Sequence, residues 1–182
     1  MPDSQSGVFQ AEGAPEPFRV LVPSPLGPLG IELIHTAVVR LLIDPITPVA
    51  AAFTPLHKIR GSDFLDEILG RLSEYFAGAR RKLDVEIDLG PSGVTGFSRR
   101  VLREVAKIGY GRTRTHDAVA ALAGRPEAAV EVLSILLANP IPILIPCHRV
   151  ISDTLDLDGY IGGIERRNQL LRVESQTVES PQ

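Results

Sequence analysis

Aliphatic residues gather in short runs over Phe18 to Val22, Ile31 to His35 and Ala37 to Ile43, parted by Pro25-Leu26-Gly27-Pro28-Leu29-Gly30 and a second turn. Short aliphatic runs bounded by turn formers predict a small antiparallel sheet. The period then changes. Leu65, Leu69, Leu72 and Phe76 recur at four- and three-residue intervals, on one face of a helix that Ser62 can cap and Gly78 can stop. Leu89-Gly90-Pro91-Ser92-Gly93 breaks both periodicities and marks a linker.

Beyond it, Phe97, Val101, Leu102 and Val105 form a helical stripe that halts near Gly109. Thr115 is placed to cap a short helix through Val119 and Leu122 that ends at Gly124, and Pro126 to sit in the first turn of another helix reaching Ala138. Two helices joined by Ala-Gly-Arg-Pro have the outline of a helix-turn-helix, an outline that structural helical hairpins share. From Asn139 to Pro146, three prolines forbid helix while the apolar residues between them drive the segment inward. That segment delivers Cys147-His148-Arg149-Val150 at a buried turn. Gly159-Tyr160-Ile161-Gly162-Gly163 reads as a loop, and Arg166 to Glu174 as a closing helix with Leu170 and Leu171 inward.

The fold class expected is α/β of the α+β kind. A polar tail over 1–17 precedes a sheet-and-helix domain over 18–90, residues 91–96 join it to a helical domain over 97–175, and a second tail covers 176–182. With 182 residues, 44% of them hydrophobic, the chain can bury a real core. A net charge of -3 indicates no global basic field, so any nucleic-acid contact must be local. No run of eighteen apolar residues and no basic-then-apolar start exist, so no membrane partner and a cytoplasmic location are expected.

The chain has one cysteine, Cys147, and four histidines, so an internal disulfide is impossible and no structural metal is expected. A lone cysteine is either a small buried hydrophobe or a reactive thiol, and its neighbours decide which. His148 is placed to take its proton, directly or through one water, and Glu174 on the last helix is a candidate acceptor to orient that imidazole. On this reading the sulfur is held as an anion, ready to attack.

Asn139-Pro140-Ile141-Pro142-Ile143-Leu144-Ile145-Pro146-Cys147-His148-Arg149-Val150 resembles the active-site signature of the O6-alkylguanine-DNA alkyltransferases. The resemblance extends from Phe97 to Glu174 and, more loosely, through Ser24 to Leu29 and Glu74 to Gly78. It implies a ribonuclease-H-like sheet domain in front of a winged-helix-like DNA-binding domain. It also implies a single-use reaction, in which a guanine is rotated out of double-stranded DNA from the minor groove and its O6-alkyl group passes to the cysteine. No cofactor and a monomer are expected.

By position, Cys147 would be the acceptor, His148 its water-mediated base, Glu174 the partner of His148 and Asn139 the brace of the turn. Tyr160, Ile161, Val150 and His116 would line the base pocket. Ser98, Ala128, Ala129, Val130 and Arg149 would meet DNA.

Some positions depart from the family. Val130 and Glu131 stand where it usually has an arginine followed by alanine. Val130 can wedge between base pairs but cannot pair with an orphaned base. Glu131 either faces phosphates and weakens duplex binding, or turns to solvent or a nearby arginine. His116 replaces a tyrosine and can donate a hydrogen bond near the guanine, unless it is an exposed residue beside the helix cap. Arg99, Arg100, Arg103, Lys107, Arg112 and Arg114 form a basic neighbourhood that is either an ordinary solvated face or a flank of the reading helix.

Overall fold

A computed structural model describes residues 16–59, 63–152 and 159–176. The expected Ser62 cap and nearly all of both expected tails lie outside the described residues.

Four strands form the first sheet: β1 (Phe18–Val22), β2 (Leu29–Ile34), β3 (Ala37–Ile43) and β4 (Thr54–Pro55), in the order β3-β2-β1-β4. The β1–β2–β3 meander is antiparallel, as the aliphatic runs predict, and β4 adds a short parallel pairing to β1. Alternation sorts the two faces. Val20, Val22, Ile31 and Leu41 are buried, while Arg19 and Glu32 lie opposite each other and pair at 3.2 Å. The second strand starts at Leu29, and His35 leaves it in a left-handed conformation, φ 54, that turns the chain into β3. The outer edge of β3 does not stay open. Val38 exchanges backbone bonds with Glu86 and Asp88, and the Leu41 amide donates to the Pro140 carbonyl at 2.9 Å. An edge strand thus covered presents no template for other chains.

Between β3 and β4 lies a short helix, α1 (Thr47–Ala50), and after β4 comes the main helix of this half, α2 (Asp63–Phe76). Its buried stripe is Leu65, Ile68, Leu72 and Tyr75, one step round from the expected Leu65, Leu69, Leu72 and Phe76. Both sets have helical spacing. The sheet takes the one that brings in Tyr75.

The second half packs α3 (Gly96–Ala106), α4 (His116–Leu122) and α5 (Ala129–Leu137) against one another. Thr115 caps α4 as expected, its Oγ1 accepting from the Ala118 amide at 3.2 Å. Gly124, at φ 87, ends α4 with the Arg125 amide donating to the Ala120 carbonyl at 2.9 Å, a conformation that favours glycine. Pro126 is not in the first turn of α5. It occupies a turn closed by the Ala128 amide on the Arg125 carbonyl, and α5 begins only at Ala129, since proline suits the second position of such a turn. A two-stranded parallel ribbon, β5 (Arg114–Thr115) with β6 (Val150–Ile151), ties the start of α4 to the segment after Cys147. The last helix, α6 (Ile164–Gln176), is longer at both ends than the expected Arg166 to Glu174.

One buried apolar cluster runs from Val20 to Leu170 through both halves. Arg166 adds polar ties across them, donating to the Leu26 carbonyl at 2.7 Å and pairing with Asp44.

Candidate active site

Asn139 shapes the approach to the cysteine. It is 1% exposed; its Nδ2 donates to the Ile145 carbonyl at 3.0 Å and its Oδ1 accepts from the Ile141 amide at 3.0 Å. One side-chain amide therefore satisfies both ends of a buried loop whose prolines deny it a helical ladder. Inside the loop Ile143 has φ 74, a region where a β-branched side chain is strained. Burial of Ile143 and the Asn139 staple hold that strain, and such strain gathers at functional sites. Cys147–Arg149 then form a single 3-10 turn, with the Cys147 amide on the Ile145 carbonyl at 2.8 Å.

Around that turn a buried network converges on Glu174, which α6 carries into the core at 0% exposure. His148 Nε2 lies 2.9 Å from Glu174 Oε1, and Arg149 donates through Nε and Nη2 at 3.0 and 2.8 Å. The Tyr75 hydroxyl donates to Oε1 at 2.6 Å, and the Gly111 amide to Oε2 at 3.0 Å. Tyr110 stands edge-on to Tyr75 with ring centroids 5.9 Å apart and holds the Val173 carbonyl through its hydroxyl at 3.2 Å.

These contacts settle protonation. Burial alone would raise the Glu174 carboxyl, but hydrogen bonds from His148 and Arg149, with the Tyr75 hydroxyl, outweigh it and bring the pKa down to about 2. Burial pulls His148 below its ordinary value, Glu174 opposing and Arg149 assisting. The contact between His148 and Glu174 has ion-pair geometry, but Arg149 already neutralises the carboxylate, and we take the imidazole as neutral. A carboxylate can only accept, so Nε2 carries the proton and Nδ1 is the basic nitrogen. Nδ1 is buried and has no hydrogen-bond partner among the described residues.

Cys147 itself is 3% exposed, and burial pushes its thiol up to about 12 against hydrogen bonds from Asn139 and the local main chain. This corrects the expectation of a resting anion. The sulfur waits as a neutral thiol on the residue before His148.

Of the expected pocket residues, Tyr160 is buried, its ring edge-on to His148 with centroids 6.4 Å apart. Its hydroxyl has no hydrogen-bond partner among the described residues. A Cβ on Gly162 would stand 2.8 Å from the Tyr160 ring, so glycine there lets the ring lie flat against the loop. Val150 is buried in β6, and Ile161 is 40% exposed. His116 is 1% exposed, so it is not an exposed residue beside the cap; the β5–β6 pairing places it one residue beyond Thr115, which faces Ile151.

The expected DNA-facing residues divide. Val130, 65% exposed, stands out from the first turn of α5; Ala129 and Ser98 are half-buried. Ala128, 5% exposed, is buried just before the first turn of α5. Arg149 is turned inward. It is 8% exposed, and its guanidinium is engaged by Glu174 and by the Ile108 carbonyl at 2.6 Å, so a phosphate contact would have to compete with that buried network. Glu131 takes the second of its two expected courses and pairs with Arg125 at 2.8 Å, while that guanidinium lies over the Phe97 ring at 4.5 Å.

Tyr75 and Gly111 are the residues bonded to Glu174 that reading the sequence passed over. A buried tyrosine must place its hydroxyl, and that was the one available signal. Among the described residues no three His, Cys, Asp or Glu side chains group as a metal site, and no helix is long and apolar enough to cross a membrane.

Residues 96–176 match the family model described as 6-O-methylguanine DNA methyltransferase, DNA binding domain. A methylated-DNA–protein-cysteine methyltransferase of Mycobacterium tuberculosis is 36% identical over 156 residues, covering 84% of this chain and 89% of that protein. One of Methanosarcina barkeri is 36% identical over 124 residues, covering 68% and 77%. The crystal structure of Mycobacterium tuberculosis O6-methylguanine methyltransferase superposes with a TM-score of 0.76 at 34% identity, covering 91% of this chain and 95% of that one. A structure of the Mycobacterium tuberculosis protein in complex with DNA gives 0.75 at 34% identity, covering 88% and 94%. With a relative this similar over nearly its whole length, and the His148–Glu174 contact next to Cys147 in place, the chain belongs to the methylated-DNA–protein-cysteine methyltransferase family.

Proposed function

We propose that this protein repairs DNA by taking the alkyl group of O6-alkylguanine irreversibly onto Cys147. One observation carries the assignment of the acceptor: a protein-cysteine methyltransferase that alkylates itself needs a cysteine, and this chain has a single one, Cys147.

The chemistry follows from the groups present. A base swung out of double-stranded DNA through the minor groove brings its alkyl carbon to Sγ. The thiol proton passes to His148 Nδ1 through a water, and the imidazolium so formed is stabilised by Glu174. Sγ bonds to the alkyl carbon as the carbon–O6 bond breaks, the electron pair leaves with the guanine oxygen, and the guanine anion so formed takes a proton from water as the imidazolium returns its own to solvent. The Tyr160 hydroxyl, without a hydrogen-bond partner among the described residues, and the Ile161 amide are donors for that oxygen, and His116 and Val150 complete the pocket. No proton balance requires a cofactor, and the alkylated thioether cannot be released, so each chain acts once.

Ser98, Ala129 and Val130 form the surface that meets DNA on this reading, with the chain acting as a monomer in the cytoplasm. Residues 18–90 are taken as the ribonuclease-H-like domain and 97–175 as the winged-helix-like one, on the strength of the meander sheet and the α4–α5 pair. Titrating duplex DNA containing O6-methylguanine with protein tests the proposal. Repaired guanine should equal the protein added, one per chain, and Cys147→Ser should give none; turnover beyond one equivalent, or repair by the serine variant, would refute it.

A second reading has its own observation. Val130 offers no hydrogen bond to an orphaned base, and Arg125 is engaged by Glu131 and Phe97. The chain would then be an alkyltransferase-like lesion-binding or protein-interaction module with weakened duplex repair. Reaction with free O6-benzylguanine separates the two, because a protein impaired only at the groove still alkylates and an inert binder does not.

A further inference from the structure

The network around Glu174 is assembled from both halves of the chain. His148, Arg149, Gly111 and Glu174 all follow residue 97, while Tyr75 comes from α2, 99 positions before the carboxylate it touches. Its hydroxyl donates to Glu174 Oε1 at 2.6 Å, and its oxygen stands 3.4 Å from His148 Nε2. The Nε2 proton therefore points at two oxygens, Glu174 Oε1 and the Tyr75 hydroxyl, neither of which can offer it a hydrogen in return.

We propose that Tyr75 is a positioning residue: its hydroxyl fixes the Glu174 carboxylate and, through it, holds His148 in the Nε2–H tautomer that leaves Nδ1 free to take the thiol proton. The proposal rests on the alkyl-transfer reading for its consequence and on the geometry alone for its content. On this proposal Tyr75 acts on neither thiol nor substrate directly. It acts by sharing the charge on Oε1, and with that hydroxyl gone the undiluted carboxylate favours the imidazolium. His148 should then titrate higher, and its base form should be lost at a higher pH.

The test has two readouts on the full chain. Nitrogen-15 resonances of the imidazoles, followed through the acidic and neutral range, report the tautomer and titration of His148. The rate of alkyl transfer from free O6-benzylguanine, measured over the same range, reports the acid limb. Wild type should show the Nε2–H tautomer. Tyr75→Phe should raise the protonation constant of His148 about 3- to 10-fold, as loss of one hydrogen bond allows, and move the acid limb by the same amount. Tyr110→Phe removes a neighbouring hydroxyl that serves the Val173 carbonyl and should leave the His148 titration in place.

An Nδ1–H tautomer in wild type overturns the proposal whether or not the variant folds. So do superimposable titrations, an equal shift in Tyr110→Phe, or a uniform loss of rate with His148 unchanged. If wild type transfers no alkyl group, the functional reading fails, and the imidazole titration still decides the role of Tyr75.

Discussion

The Tyr75 hydroxyl lies 2.6 Å from Glu174 Oε1, so a helix of the sheet half completes the charge network of the cysteine half. Two halves that share a buried carboxylate cannot separate without leaving it short of a donor. The N-terminal half is thus part of the site's electrostatics as well as its scaffold.

Arg149 should be a stability residue. It meets both oxygens of a carboxylate that is 0% exposed, and removing one partner of a buried pair leaves the other charge uncompensated. Arg149→Ala should cost about 3–5 kcal/mol. Chemical denaturation checks this, together with DNA affinity in any folded remainder; a loss of affinity without a loss of stability would return Arg149 to the DNA surface.

Stability should fall at both ends of the pH scale. Glu174 is held down from 4.5 to about 2, so its contribution is whole above 4.5 and is lost as pH falls toward 2, where the folded carboxylate finally protonates. Cys147 is pushed up from 9.0 to about 12, so its contribution is whole below 9.0 and is lost as pH rises toward 12, because the unfolded chain sheds a proton that the folded one keeps. Denaturation midpoints across pH measure both limbs. The same burial predicts that iodoacetamide modifies native Cys147 far more slowly than the unfolded chain at neutral pH.

Gly162→Ala should damage the pocket more than the fold. The added Cβ would meet the Tyr160 ring at 2.8 Å and Ile43 at 3.1 Å, so the ring must move. Displacing a positioned group by a fraction of an ångström to an ångström slows reaction about 10- to 100-fold. The rate with O6-benzylguanine, set beside the melting temperature, distinguishes this from general destabilisation.

Glu131→Ala should tighten duplex binding. It removes a negative charge from α5 and frees Arg125 from its 2.8 Å partner, leaving it the longer Glu127 contact at 3.4 Å and the Phe97 ring. The salt dependence should steepen by about one ion as the freed guanidinium meets phosphate. Unchanged affinity and slope would show that this face of α5 does not approach DNA.

Much of this fold is legible in local pattern. The meander, the Thr115 cap, the Gly124 stop and the proline-broken approach to Cys147 all follow from residues near one another in sequence. What escapes depends on distant partners. Arg149 beside His148 reads as a free cation until Glu174, 25 residues on, is seen to engage it. On α2 two stripes of equal helical spacing compete, and only the sheet and α6 choose the one with Tyr75. Leu26 and Arg166 likewise meet across 140 residues with no local sign of it. The resting state of the sulfur was hidden for the same reason, since its burial is a property of the assembled core and its neighbours in sequence say only that a base is close.

Peptide mapping by mass spectrometry after mixing the full chain with duplex DNA carrying O6-methylguanine tests the central claim most directly. One added methyl group on the peptide containing Cys147, with the matching guanine restored, is the predicted result. Folded protein whose Cys147 stays unmodified, or a methyl group found on another residue, would contradict it.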